Sequence, residues 1–240
     1  MDKIIEAFHD GLNKSGRDRS KVCMVTDIAF DPEVVDYLGV DLFHTTRGRA
    51  IAYGTGMKLA NPNLNVVVFI GDMATIGGNH FVHAARRNMD LLVVCVNDFR
   101  YRRVAGKDAP GDFSRLEFCS YCSFEEPLNI CHLARSNGSI YVARWTALHH
   151  DELAKSFAEA LPLNGLKTID VISAEAALLE FYYAHSVVLD GEDTANVGIT
   201  GEVKLAVGKF VERERETFID GYNRQLTKVL GDKFVKIEAE

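Results

Sequence analysis

The chain has 240 residues and a formal net charge of −7 at pH 7. This length is enough for one sizeable core, and the acidic balance argues against a nucleic-acid or anionic-membrane surface. Small molecules and proteins remain as partners. The longest apolar runs, 66–70 and 91–96, are far shorter than the roughly 20 residues of a membrane-spanning helix. We therefore expect no membrane span and, because the N-terminus has no signal-peptide pattern, a cytoplasmic protein.

Apolar spacing along the chain predicts helices and strands in turn. Helical spacing occurs at 3–14, 47–61, 79–88 and 150–161, and strand-like apolar runs occur at 22–26, 66–70, 91–96, 140–143 and 168–172. This alternation is typical of βαβ units. It predicts an α/β fold with a mainly parallel sheet, helices on both faces and right-handed connections.

The sequence changes character after the fifth predicted strand. An apolar stretch over 176–189 is followed by a Gly/Asp/Asn-rich region over 190–201, and a charged helix is expected over 202–218. We predict a main domain over 1–175 and a C-terminal extension or docking arm over 176–240.

Acidic side chains follow two of the predicted strands at the points where they end. Gly71 and Asp72 come directly after the second strand, and Asn97 and Asp98 follow the third. Parallel strands end at one edge of a sheet, where α/β proteins bind ligands, so we expect these residues to lie close together. The long loop 99–128 begins beyond this edge, which favours a functional role for it.

Several motifs match those of one family. The matching segments are residues 44–50 (HTTRGRA), 56–62 (GMKLANP), 76–80 (IGGNH), 84–88 (AARRN) and 141–145 (YVARW). Over about two-thirds of the chain, residues 22–173, the sequence resembles the β subunits of 2-oxoacid:ferredoxin oxidoreductases. The resemblance implies a thiamine-diphosphate-binding fold, bound thiamine diphosphate and Mg²⁺, and oxidative decarboxylation of a 2-oxoacid to acyl-CoA. It also implies partners among the other subunits of such a complex, together with ferredoxin.

The resemblance also indicates which residues would contact the cofactor. The implied contacts are Arg47, Gly48, Arg49, Gly71, Asp72, Met73, Asp98, Arg100, Arg102 and Arg103. Mg²⁺ would be held by Asp72, Asp98 and the carbonyl of Arg100, since this ion prefers oxygen ligands.

The pocket motifs depart from the family pattern, whereas the scaffold motifs do not. The family's diphosphate loop reads Gly-Asp-Gly-Asp, but here the loop after Gly71 is two residues shorter and has Met73 where the second glycine belongs. In the second motif, Val104 replaces a threonine that contacts the diphosphate, and valine donates no side-chain hydrogen bond. Arg102 and Arg103 either pair with phosphate in its place or block the pocket by their bulk.

Two further departures affect the strand ends. The family's Gly-Ile-Gly-Cys-Ser loop is replaced by residues 27–31 (DIAFD), and its His-Gly-Arg has become Arg47-Gly48-Arg49. This distribution predicts a retained fold and assembly surface with altered or lost cofactor chemistry. Two functions stay open: a catalytic β-type subunit, and a non-catalytic scaffold or regulatory subunit whose sister chain carries thiamine diphosphate.

Three cysteines suggest a further alternative, an electron-transfer subunit. Cys119, Cys122 and Cys131 could supply three thiolates, with His132 nearby, to an iron–sulfur cluster or zinc. The spacing is only half of a paired CxxC pattern, so we expect loop and core cysteines rather than a cluster.

Overall fold

The computed structural model describes residues 2–28, 33–71, 77–97, 129–172, 196–200 and 203–238. The helices in these ranges are α1 (Asp2–Ser15), α2 (Glu33–Leu38), α3 (Ala50–Ala60), α4 (Gly78–Arg87), α5 (Ile130–Asn137), α6 (His150–Ala160) and α7 (Phe218–Leu230). The strands are β1 (Val22–Thr26), β2 (Asp41–His44), β3 (Asn65–Ile70), β4 (Leu92–Asn97), β5 (Tyr141–Thr146), β6 (Lys167–Ile172), β7 (Asn196–Thr200), β8 (Val203–Ala206) and β9 (Gly208–Glu212). None of these helices is long and apolar enough to cross a lipid bilayer.

Seven of the strands form one sheet in the order β2-β1-β3-β4-β6-β5-β9. The first six strands in this order are all parallel to their neighbours. The seventh, β9, runs antiparallel to β5. The central strands β3 and β4 are nearly continuous runs of buried apolar residues, as is usual for parallel strands covered on both faces. The predicted α/β fold with a mainly parallel sheet is confirmed. Strands β7 and β8 form a separate antiparallel pair.

Helices cover both faces of the sheet, as predicted. On one face, α1 and α6 pack over β3, where the ring of Phe8 lies edge-on to Phe69 and Phe157 at centroid distances of 5.4 and 5.2 Å. The two helices approach so closely that a Cβ on Gly11 would lie 2.4 Å from the Cβ of Phe157. On the other face, α3 packs against β1 and β3, and α5 packs against β5 and β6. Residues of α3, α4 and α5 share one apolar cluster with the alternate residues of β3, such as Val68.

The C-terminal part of the chain differs from the sequence prediction. Strands β8 and β9 occupy most of the segment 202–218, and a helix begins only at Phe218, so the predicted charged helix is wrong. Gly208 gives the physical reason, because its φ of +135° is open to glycine and lies far from helical values. The backbone after it pairs with β5 instead, with Val211 opposite Val142.

The segment that follows β9 lies against the C-terminal ends of α4 and α5. The side-chain amide of Asn88 donates to the carbonyls of Arg215 and Glu216 at 3.1 and 3.0 Å. Strand β9 and this segment therefore pack directly on the main sheet and its helices. The predicted boundary at residue 175 and the apolar stretch 176–189 lie outside the described residues, so the division into a domain and an arm stays a prediction.

Candidate ligand-binding edge

The carboxyl ends of β1, β2 and β3 meet at one edge of the sheet. Strand β1 is followed by Asp27, β2 leads into the turn 45–49, and β3 is followed by Gly71. Because β1 lies between β2 and β3, the three ends are neighbours. We call residues 26–28, 45–49, 70–71 and 77 the ligand edge, since open α/β sheets bind ligands at such ends.

Asp27 lies at the centre of the ligand edge and is 7% exposed. Its Oδ2 accepts a hydrogen bond from the backbone N–H of Gly48 at 2.7 Å, and its Oδ1 accepts one from the N–H of Gly71 at 3.4 Å. The N–H of Asp27 donates to the carbonyl of Phe69 at 3.4 Å. This residue therefore ties together the end of β1, the end of β3 and the turn before α3.

The predicted set of cofactor residues did not include Asp27. In the sequence, Asp27 stands out only as a departure from the family's glycine-rich loop. Its partners Gly48 and Gly71 are 21 and 44 residues away along the chain, so the strand order brings them together. One feature of the sequence could have identified Asp27: it is a carboxylate directly after a buried strand, and glycine-bearing turns follow two later strands.

Glycines allow two turns of the ligand edge to touch. Gly48 and Gly77 have φ values of +75° and +136°, which glycine adopts readily. A Cβ on Gly77 would lie 2.8 Å from the carbonyl oxygen of Gly48, closer than any ordinary contact. The turn before α3 therefore lies directly against the N-terminus of α4, and a side chain at Gly77 would push them apart.

Hydrogen bonds within the chain fix the backbone of the ligand edge. The N–H of Gly71 binds Asp27, and its carbonyl accepts from the thiol of Cys95 at 3.3 Å. At the ends of β1 and β2, the N–H and Oγ1 of Thr45 both donate to the carbonyl of Thr26, at 2.7 and 3.2 Å. Both backbone polar groups of Gly71 are thus already engaged.

The structure brings two of the predicted cofactor residues, Gly48 and Gly71, together around Asp27. Arg47 and Arg49 lie in the same turn with exposed side chains, and the Arg49 guanidinium donates to the carbonyl of Gly48 at 3.2 Å. The other predicted cofactor and metal residues lie outside the described ranges: Asp72, Met73, Asp98, Arg100, Arg102 and Arg103. Their roles stay predictions.

Cys131 is a buried residue whose thiol donates to a carbonyl of β5 at 3.8 Å. Burial, followed by the charge of Asp170, raises the pKa of this thiol against a smaller lowering by Arg144. Metals bind the thiolate, so this environment disfavours a ligand role. Cys119 and Cys122 lie outside the described ranges. Among the residues that the structure describes, no group of three or more His, Cys, Asp or Glu side chains is arranged to hold a metal.

A buried ion pair joins β5 and β6 two residues before these strands end. The Nε of Arg144 donates to Oδ2 of Asp170 at 2.6 Å, and its Nη2 donates to Oδ1 of Asn129 at 3.0 Å. Burial lowers the pKa of Arg144, but the Asp170 carboxylate, together with Cys131 and Cys95, raises it overall, so the guanidinium stays charged. Asn129 also caps α5 by accepting from the N–H of His132. The pair therefore anchors the start of α5 to the sheet.

A family model and two sequence relatives relate this chain to thiamine pyrophosphate enzymes and to 2-oxoglutarate synthase subunits. Residues 28–171 match the family model described as thiamine pyrophosphate enzyme, C-terminal TPP binding domain. The 2-oxoglutarate synthase subunit KorB of Methanothermobacter marburgensis is 41% identical over 176 residues, which are 71% of this chain and 61% of that protein. The 2-oxoglutarate synthase subunit KorB of Methanocaldococcus jannaschii is 34% identical over 223 residues, which cover 85% of this chain and 82% of that protein.

A solved structure shows the same fold. It is that of a 2-oxoglutarate:ferredoxin oxidoreductase from Magnetococcus marinus, with a TM-score of 0.71 and 22% identity over 96% of this chain and 87% of that one. The chain therefore belongs to the thiamine pyrophosphate enzymes and, within them, to the family of 2-oxoacid:ferredoxin oxidoreductase β subunits. This confirms the resemblance that the motifs indicated. The chain spans 61% of the length of the Methanothermobacter marburgensis relative.

Proposed function

We propose that the chain is a β-type subunit of a 2-oxoacid:ferredoxin oxidoreductase complex and that its own cofactor site is altered. The complex would carry out the oxidative decarboxylation of a 2-oxoacid to acyl-CoA in the cytoplasm, with sister subunits and ferredoxin as partners. Relatives named 2-oxoglutarate synthase favour 2-oxoglutarate as the 2-oxoacid.

The contrast between a complete scaffold and a changed ligand edge supports this proposal. The seven-stranded sheet has helices on both faces. Gly11 is present where α1 and α6 approach too closely for a larger side chain. At the ligand edge, the N–H groups of Gly48 and Gly71 are bound to Asp27. Backbone N–H groups beside glycines are the donors that a diphosphate needs. The described part of the edge, as it stands, does not fit that group.

A functional cofactor site is the second candidate, and family membership favours it. In that case Asp72, Asp98 and the Arg100 carbonyl bind Mg²⁺, while Arg102 and Arg103 pair with the diphosphate. The amount of thiamine diphosphate that the protein retains separates the two candidates.

Recovery of the complex tests the assignment to an oxidoreductase. The full chain, carrying an affinity tag and expressed in its native host, should co-purify with the sister subunits. The eluate should reduce ferredoxin when supplied with 2-oxoglutarate and coenzyme A, whereas a mock eluate from the untagged host should not. Recovery of the tagged chain without any oxidoreductase subunit would contradict the assignment, and activity with another 2-oxoacid would correct only the substrate.

A further inference from the structure

We infer that the Asp27 carboxylate acts as a built-in anion at the ligand edge and excludes phosphate-bearing ligands from it. This inference rests on the proposed function, because it takes the ligand edge to be the edge where the family binds its cofactor. It deepens that proposal by naming the residue responsible and the class of ligand refused.

The hydrogen bonds of Asp27 are those that an external anion would make. Both carboxylate oxygens are used, one by the N–H of Gly48 at 2.7 Å and the other by the N–H of Gly71 at 3.4 Å. The shorter distance is typical of a charge-assisted hydrogen bond. Convergent backbone N–H groups on glycine-bearing turns are a recurrent anion site in proteins.

The negative charge of Asp27 is a second obstacle to a phosphate group, besides the hydrogen bonds that already use the two N–H groups. A phosphate group that approaches these N–H groups has to displace a carboxylate and also meets its negative charge at short range, in a site that is nearly closed to water. Like charges at such distances repel more strongly in a partly buried site than in bulk solvent. No cationic side chain among the described residues makes a hydrogen bond or ion pair with the Asp27 carboxylate that would offset this charge.

A purely structural role for Asp27 is the competing explanation. In that case the carboxylate only fastens the end of β1 to its neighbours, and its charge has no bearing on ligands. Asp27→Asn separates the two roles, because an amide keeps one oxygen that can accept from Gly48 but carries no charge. Asp27→Gly removes the side chain and frees both N–H groups.

The experiment compares anion binding by four forms of the full-length chain: wild type, Asp27→Gly, Asp27→Asn and Asp41→Asn. Asp41 is exposed at the start of β2, on the opposite edge of the same sheet, so its variant removes an equal charge far from the site. The probes are inorganic pyrophosphate with Mg²⁺, thiamine diphosphate with Mg²⁺, and thiamine without its diphosphate. Calorimetry gives affinities, and the amide NMR shifts of Gly48 and Gly71 report the site.

Asp27→Gly should bind pyrophosphate about tenfold or more tightly than wild type, which is the effect of freeing one charge-assisted hydrogen bond. The gain should extend to thiamine diphosphate, be smaller in Asp27→Asn and be absent for thiamine and for Asp41→Asn. The two glycine amides should shift with pyrophosphate only in the Asp27 variants. Should Asp27→Gly fail to fold, as judged by circular dichroism, the smaller gain expected of Asp27→Asn over wild type is still required.

Two results would overturn the inference. One is wild-type binding of pyrophosphate as tight as that of the folded Asp27 variants, and the other is the absence of any gain in those variants. Neither result bears on the recovery of the complex, because that experiment uses the wild-type chain and measures co-purified subunits. Failure of the chain to co-purify with any oxidoreductase subunit would contradict the proposed function, whatever the Asp27 variants show.

Discussion

Asp90 lies at the amino ends of the strands, opposite the ligand edge, between two buried lysines. Its carboxylate oxygens are 2.6 Å from the Nζ of Lys58 and 2.6 Å from the Nζ of Lys167. The lysines also donate to the carbonyls of Leu64 and Leu163, at 2.7 and 2.9 Å. Burial raises the pKa of Asp90, but the two lysines outweigh it and lower the pKa to about 2. This cluster joins α3 to the starts of β4 and β6.

Replacing Asp90 by Asn leaves two buried ammonium groups without a counter-charge, and we expect it to cost about 3 kcal/mol of unfolding free energy near pH 7. The folded-state pKa of Asp90 is lowered from 3.8 to about 2, so ionised Asp90 stabilises the fold above about pH 4. That contribution, about 2 kcal/mol, disappears as the pH falls towards 2. Urea unfolding of wild type and Asp90→Asn near pH 7 and near pH 3 measures the effect.

The difference between the two proteins should shrink on acidification. Asp36→Asn, at an exposed position of α2, is the control and should change stability little at either pH. A difference between wild type and Asp90→Asn that is the same at both pH values would show that the lysines do not hold the Asp90 pKa low.

At the scale of elements, one side chain from the C-terminal segment caps the C-terminal ends of two helices. The guanidinium of Arg215 donates to the carbonyls of Ala85 and Arg86 at the end of α4, at 3.1 and 3.0 Å. It also donates to the carbonyl of Gly138 after α5, at 2.6 Å. A cation at the C-terminus of a helix satisfies unpaired carbonyls and interacts favourably with the helix dipole.

Arg215→Ala should therefore lower the unfolding free energy by about 1 kcal/mol, since its side chain is largely exposed. Hydrogen exchange should show the first loss of protection in β9 and α7, which this segment connects. Arg224→Ala is the matched control, because Arg224 lies in the same part of the chain and its contact among the described residues is a surface ion pair with Glu216. Equal effects of the two substitutions would contradict the special role of Arg215.

Long and strongly patterned elements could be predicted from the sequence, and short edge elements could not. The predicted strand 66–70 and the predicted helix 150–161 agree with β3 and α6 to within one residue. Strand β2 has only four residues and is mostly exposed, so it carries no clear apolar pattern. Strand β9 depends on pairing with β5, whose paired residues lie 64 to 71 positions earlier, and that pairing is a property of the tertiary fold.

At the scale of the whole molecule, the sequence predicted which strands the sheet contains better than which side chains meet at their ends. The apolar run 66–70 predicted a strand that ends at Ile70, so Gly71 follows it directly, whereas the predicted proximity of Asp72 and Asp98 lies outside the described residues. The apolar pattern gives no information about Asp27, because the contacts of Asp27 with Gly48 and Gly71 depend on β1 lying between β2 and β3. Strand order is set by the packing of the complete sheet, which a single sequence does not reveal.

The central claim, a retained scaffold with an altered cofactor edge, is tested most directly by cofactor retention. The purified full-length chain is incubated with excess thiamine diphosphate and Mg²⁺ and desalted, and thiamine is then measured per chain after conversion to fluorescent thiochrome. An intact family member treated in parallel is the positive control. We predict that this chain, folded by circular dichroism, retains far less than one thiamine diphosphate per molecule. Retention of one per molecule, matching the control, would contradict the claim and leave the functional cofactor site as the correct account.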